Sequence, residues 1–137
     1  MRLWHGGVPG LRVGDLIRPG HERKPVPGCK FCEARAAEAA GGPRPAVDPL
    51  SRVHDRVYLT TSREYARHYA SLYGRGDLYR VEPVGATDRS TEDSFETYLA
   101  EQARVLAVYD RAVLLTPGQR RALDRAWLLA DRAAVGR

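Results

Sequence analysis

The sequence predicts a strand-rich α+β domain, and three observations carry that prediction. Short β-branched and aromatic runs recur between turn signals, as in Val57-Tyr58-Leu59-Thr60 and Leu78-Tyr79-Arg80-Val81. A mid-chain segment opens on a helix-capping pattern, and a terminal segment keeps helical spacing behind Thr116-Pro117. The 137 residues are 43% hydrophobic and 28% charged, which suits one domain with a core of its own and excludes a disordered chain. No apolar run approaches the ~20 residues of a membrane span. His5-Gly6-Gly7 arrives too early for a signal peptide, so a cytoplasmic, monomeric protein without a membrane partner is the expectation.

The elements follow in order. A short apolar strand over Arg2, Leu3 and Trp4 ends at His5-Gly6-Gly7, and Val13-Gly14-Asp15-Leu16-Ile17 leads into the Pro19-Gly20 turn. Residues 21–55 are rich in Pro, Gly and Ala and read as an insertion, with a short helix over Phe31–Ala40 by propensity. The strand at Tyr58 runs into Thr61-Ser62-Arg63-Glu64, a capping box with Thr61 as N-cap. The helix behind it places Tyr65, His68 or Tyr69, and Leu72 or Tyr73 on one face. The strand at Leu78 ends near Pro83, which marks an edge or an end. Beyond an acidic loop, Arg104–Tyr109 and Ala112–Leu115 read as two further strands. Thr116 as N-cap and Pro117 as first helical residue open a C-terminal helix over 116–134, with Leu123, Trp127 and Ala130 on its buried stripe.

Charge is unevenly placed. Lys and Arg number 22 against 17 Asp and Glu, a formal +5, which suits a polyanionic or phosphorylated partner as well as a merely solvated surface. Against that background Asp88, Glu92, Asp93, Glu96 and Glu101 crowd one stretch with Arg89 alone. Carboxylates set close together repel one another, so the loop is either a solvated acidic face or a place where one carboxylate has chemical work.

Three groups bear chemistry. His5-Gly6 either pairs a hydrogen-bonding imidazole with bare backbone at a ligand or is a surface histidine by chance. Tyr58 ends a strand and Tyr69 lies eleven residues on, so two phenol rings can sandwich a flat ligand or simply join the core. A fixed carboxylate in the acidic loop can stabilise a developing cation, as in glycoside cleavage.

Together these motifs resemble a known family. His5-Gly6, followed by Leu11-Arg12-Val13-Gly14-Asp15-Leu16-Ile17-Arg18-Pro19-Gly20, is similar to the opening of the small bacterial rifamycin ADP-ribosyltransferases. Val57-Tyr58-Leu59-Thr60-Thr61 resembles their Tyr-Phe-Thr-Ala strand, and Tyr79-Arg80-Val81-Glu82-Pro83-Val84-Gly85 their Tyr-x-Val-Glu-Pro-x-Gly strand, in the same order.

The resemblance implies a split antiparallel β-sheet ADP-ribosyltransferase fold over 1–137, with a Cys-containing insertion at 21–55 and a C-terminal helix. It implies NAD+ as co-substrate, release of nicotinamide, and a His-Tyr-acid triad of His5, Tyr58 and Asp93. His5 would hold a ribose hydroxyl, Gly6 the nicotinamide amide, and Tyr58 and Tyr69 the two faces of the nicotinamide ring. The family's Asp-Asp-Pro loop is missing, so Asp88, Glu92 and Glu101 stand beside Asp93 as alternatives for the acid. Arg12 and Arg18 would meet the pyrophosphate. The acceptor is a rifamycin or other small molecule, or a nucleic-acid or protein group, because the loops that differ here are those beside the NAD+ site. The competing class is a non-catalytic nucleotide- or nucleic-acid-binding module on the same fold.

The insertion carries Cys29-Lys30-Phe31-Cys32, a CxxC bracketed by His21 and His54. Structural zinc on Cys29, Cys32, His21 and His54, a pair of inert thiols and a redox pair are all open readings.

Overall fold

The computed structural model describes residues 1–19, 36, 40–41, 56–72, 75–92 and 94–135. Among the described residues five antiparallel strands form one sheet: β1 (Leu3–Gly7), β2 (Leu16–Ile17), β3 (Val57–Thr60), β4 (Asp77–Arg89) and β5 (Thr97–Asp110). The helices among the described residues are α1 (Arg63–Leu72) and α2 (Pro117–Val135). The fold is therefore mixed α+β, and none of the described helices is long and apolar enough to cross a membrane. The helix expected over Phe31–Ala40 and nearly all of the insertion lie outside the described residues.

The strand order is β2-β5-β3-β1-β4, and β4 also pairs with β5. Pairing thus runs round a closed ring of β5, β3, β1 and β4, which leaves these strands few open edges. Residues 97–100 of β5 pair with β3, and residues 103 and 104 pair with β2, while the opposite edge of β5 follows β4. The interior of the ring holds Leu3, Ile17, Val57, Leu59, Tyr79, Val81, Ala100, Ala103 and Val105.

The long hairpin of β4 and β5 corrects two expectations. The acidic stretch is not wholly a loop: Thr87, Asp88 and Arg89 continue β4, opposite Ala100, Leu99 and Tyr98. Pro83 does stand near an edge, because β1 pairs with β4 only as far as Val81. The strand passes it because β5 remains as a partner on the other side. Likewise the two strands expected over 104–115 are one, ending at Asp110. Asp77 Oδ1 takes the N–H of Ala112 at 2.8 Å, and Ala112 has φ 49°, so the chain turns there. Val113 and Leu115 then pack beneath the helices instead of pairing.

Each helix is capped by its own sequence. The N-cap of α1 is Ser62, not Thr61: its Oγ accepts from the N–H of Tyr65 at 3.2 Å. Thr61 instead donates its hydroxyl to Glu96. At α2 the expected cap is present and reciprocal, with Gln119 N–H on Thr116 Oγ1 at 3.1 Å and Thr116 N–H on Gln119 Oε1 at 3.0 Å. Ala66 and Ala70 of α1 pack with Trp4 and Leu78 on the outer face of the sheet. Leu123, Trp127 and Ala130, the expected stripe of α2, pack with Tyr65, Tyr69 and Phe95.

Candidate functional site

β1 follows β4 through five register positions but meets β3 at one, Trp4 opposite Thr60. Past Trp4 the β1–β3 seam has no further register pair among the described residues, and His5 spans it by side chain. Its Nδ1 lies 2.8 Å from the carbonyl oxygen of Tyr58. A carbonyl can only accept, so Nδ1 carries the proton and donates. Burial pushes the imidazole below its ordinary pKa, against the opposing pull of that carbonyl. His5 is accordingly neutral at pH 7, with Nε2 presented as an acceptor.

Both glycines after His5 are required by space. At Gly6 the backbone of α1 lies directly on the strand, and a Cβ would overlap the Ala66 carbonyl and stand 2.6 Å from Ala70 N. At Gly7 a Cβ would run into the His5 ring at Nε2. The first glycine lets a helix lie on the strand, and the second lets the imidazole fold over it.

Tyr58 has Val57 and Leu59 pointing into the ring on either side, so its own ring lies on the opposite face of β3. Its hydroxyl donates to Glu92 Oε1 at 3.1 Å. One residue thus joins two candidates, His5 through its carbonyl and Glu92 through its phenol. The turn that brings Glu92 there is tied down on both sides. The N–H of buried Ser90 bonds the Thr97 carbonyl at 2.8 Å, its Oγ accepts the N–H of Glu92 at 3.3 Å, and Phe95 is buried.

The other carboxylates are placed differently. Asp88 is exposed on β4 and ion-paired with Arg56 at 3.5 Å. Glu101 is exposed on β5, with its carboxylate over Gly85. Glu96 accepts from the Tyr98 hydroxyl at 2.7 Å and from Thr61. Asp93 lies outside the described residues, as do Cys29, Cys32, His21 and His54.

Tyr69 sits in an aromatic cluster between the helices. Its hydroxyl is 3.2 Å from that of Tyr65, and its ring stands edge-on to Tyr65 at 5.0 Å. Tyr65 in turn stacks on Phe95 at 4.2 Å and meets Trp127 edge-on. Phe95 follows Glu92 by three residues, so the cluster anchors the acidic turn to α1. Sequence reading missed Phe95 and Trp127 as supports of this turn; the signal was an aromatic residue inside an otherwise polar run.

It also missed a buried polar group beside β1. Asp77, 2% exposed, accepts at Oδ2 from Gly10 N–H at 2.9 Å and from Arg111 at 2.6 Å, and at Oδ1 from Ala112 N–H. Tyr79, fully buried, donates its hydroxyl to the Val8 carbonyl at 2.6 Å and accepts from Leu11 N–H at 3.1 Å. Burial alone would raise the Asp77 carboxyl, but the N–H groups of Gly10 and Ala112 and the Arg111 guanidinium outweigh it and hold it below the usual carboxylate range. Burial keeps the Tyr79 phenol protonated far above its ordinary range, so it serves as a fixed hydrogen-bond donor.

Through its two ends Tyr58 holds a neutral imidazole at its carbonyl, which can bind a hydroxyl group, and a carboxylate at its phenol, which can oppose a positive charge. Arg12, exposed in the loop after β1, adds a cation near the first of these along the chain. No family model matches the chain, and no curated protein matches it in sequence.

Proposed function

We propose that the chain is a mono-ADP-ribosyltransferase that uses NAD+ as co-substrate, releases nicotinamide and passes ADP-ribose to an acceptor. The observation that carries this reading is the row His5–Tyr58–Glu92 at the β1–β3 seam. Its residue types and chain order agree with the resemblance of the His-Gly, Tyr-Leu-Thr and Val-Glu-Pro segments. The residue types also suit the ligand: His5 Nε2 is an acceptor for a ribose hydroxyl, and the Tyr58 ring and the Glu92 carboxylate it bonds suit a cationic ring.

NAD+ supplies a bond between ribose C1′ and the nicotinamide nitrogen whose electron pair leaves with nicotinamide. His5, held in one tautomer by the Tyr58 carbonyl, orients the ribose. Glu92 supplies the negative charge that a cationic ribose requires, and its bond to Tyr58 fixes its direction. Asp93 follows it directly and is the alternative acid. The acceptor's nucleophile then bonds C1′ and loses its proton. A rifamycin, an oligonucleotide end and a protein side chain are the acceptor classes to supply.

The test is nicotinamide release from NAD+ by the purified chain, with each acceptor class and without any. Release that falls on the order of 100-fold or more in Glu92→Gln and His5→Ala supports the reading. Loss in Asp93→Asn with Glu92→Gln unaffected moves the acid by one residue. Binding of NAD+ without release would identify a binding module instead.

A further inference from the structure

We infer that Asp77, Tyr79 and Arg111 form a side-chain clasp that positions the loop after β1, and with it the His5 side of the NAD+ site. The inference rests on the transferase reading for its functional consequence, though not for its structural one.

The loop from Val8 to Leu11 has no strand partner among the described residues, yet its main chain is held at four points. The Val8 carbonyl takes the Tyr79 hydroxyl, and the N–H groups of Gly10 and Leu11 go to Asp77 and to the Tyr79 oxygen. Arg111 Nη2 donates to the Leu11 carbonyl at 2.9 Å, while its Nη1 bonds Asp77. Backbone polar groups must find partners, and here the partners are side chains from elements 67 to 100 residues away. One guanidinium fork serves the carboxylate and the loop at once, which a lysine cannot reproduce with a single nitrogen.

The geometry links this clasp to the site along the strand. Asp77 and Tyr79 are the register partners of Gly7 and His5 on β4. The same two β4 residues therefore pair with the backbone of His5 and Gly7 and hold the chain that leaves them. Downstream, Arg12 follows Leu11 directly, and its N–H is fixed by Asp15 at 2.8 Å. The clasp residues touch no reacting atom. They are positioning residues, acting through His5, Gly7 and Arg12, and their loss falls on NAD+ binding rather than on the bond-breaking step.

The experiment compares wild type, Arg111→Ala, Arg111→Lys and Arg120→Ala, the last removing an exposed arginine of α2. Amide hydrogen exchange at Leu11 reads the clasp without NAD+, and KM and kcat for nicotinamide release read its consequence. Arg111→Ala should speed Leu11 exchange about tenfold and raise KM for NAD+ about tenfold, with kcat changed less than about twofold. Arg111→Lys keeps the Asp77 pair and should fall between, and Arg120→Ala should match wild type. Unchanged exchange in Arg111→Ala overturns the clasp. Faster exchange with unchanged KM, or an equal fall in kcat, overturns its service to the site. A wild-type chain that releases no nicotinamide overturns the transferase reading and the functional half of this inference, and the exchange result then decides the clasp alone.

Discussion

Replacing Asp77 by asparagine removes one charge and one acceptor from a side chain that is 2% exposed. Oδ2 can stay an oxygen and keep Gly10 and Arg111, but the amide nitrogen then faces the Ala112 N–H. Two donors face each other, and a buried N–H left without a partner costs about 1–3 kcal/mol. The bonds from Gly10 and Arg111 lose their charge assistance, about 1 kcal/mol each. Against this, asparagine spares the desolvation of a buried carboxylate, and Arg111 is half exposed, so its attraction is screened. The net loss should be about 2–4 kcal/mol, a large part of the ~5–15 kcal/mol that holds a domain together. Urea unfolding followed by circular dichroism reads it, and the midpoint temperature should fall by about 10 °C.

The pH dependence has a definite sign. The folded Asp77 carboxyl lies below its ordinary 3.8, so its contribution is complete above that value and is lost as pH falls through the folded value. The difference between wild type and Asp77→Asn should be full at pH 7 and narrow as the solution is acidified below pH 3.8, leaving the part due to the Ala112 N–H. A difference under about 1 kcal/mol at pH 7, or one that persists unchanged in acid, would refute the argument.

Four other substitutions address the site and its supports. Gly6→Ala drives a methyl into the α1 backbone and should cost about 3 kcal/mol or more, read by thermal unfolding, whereas Gly7→Ala should spare the fold and displace the His5 ring. Tyr58→Phe leaves the carbonyl bond to His5 in place and removes the Glu92 bond, so stability should change by about 1 kcal/mol while nicotinamide release falls. Because His5 is held below its ordinary 6.5, the acid-side decline of release should have its midpoint below pH 6.5, as rate profiles of wild type and Tyr58→Phe will show. Thr116→Ala should cost about 1 kcal/mol through its lost cap, without effect on release.

What the sequence revealed and what it hid follow one physical distinction. Local signals were readable: the Thr116 cap, the stripe of Leu123, Trp127 and Ala130, and the β-branched strand at Tyr58 all depend on near neighbours. The long hairpin was hidden because its alternation is broken. Ala100 and Ala103 both point into the ring although they are three residues apart, and pairing shifts register between Val84 and Thr87. A bulge of this kind resets the period of two on which strand reading relies. Asp77 was hidden for a different reason. Between Gly76 and Leu78 it reads as a turn residue, and its partners Gly10 and Arg111 stand 67 and 34 residues away. Of the acidic residues, Glu92 was one of several candidates; only the fold joins it to Tyr58.

The closed ring of strands also sets an order of events for the growing chain. β1 leaves the ribosome well before either of its neighbours, and Gly7 must wait for Asp77, about 70 residues or roughly 4–14 s of synthesis later. β4 and β5 can zip as a local hairpin, with short loop closure, while β1 must be inserted between β3 and β4 across long spans of chain. The strand that carries His5 is therefore the last stave fitted to the barrel. Until it is seated, the ring stays open and its apolar lining is exposed to other nascent chains.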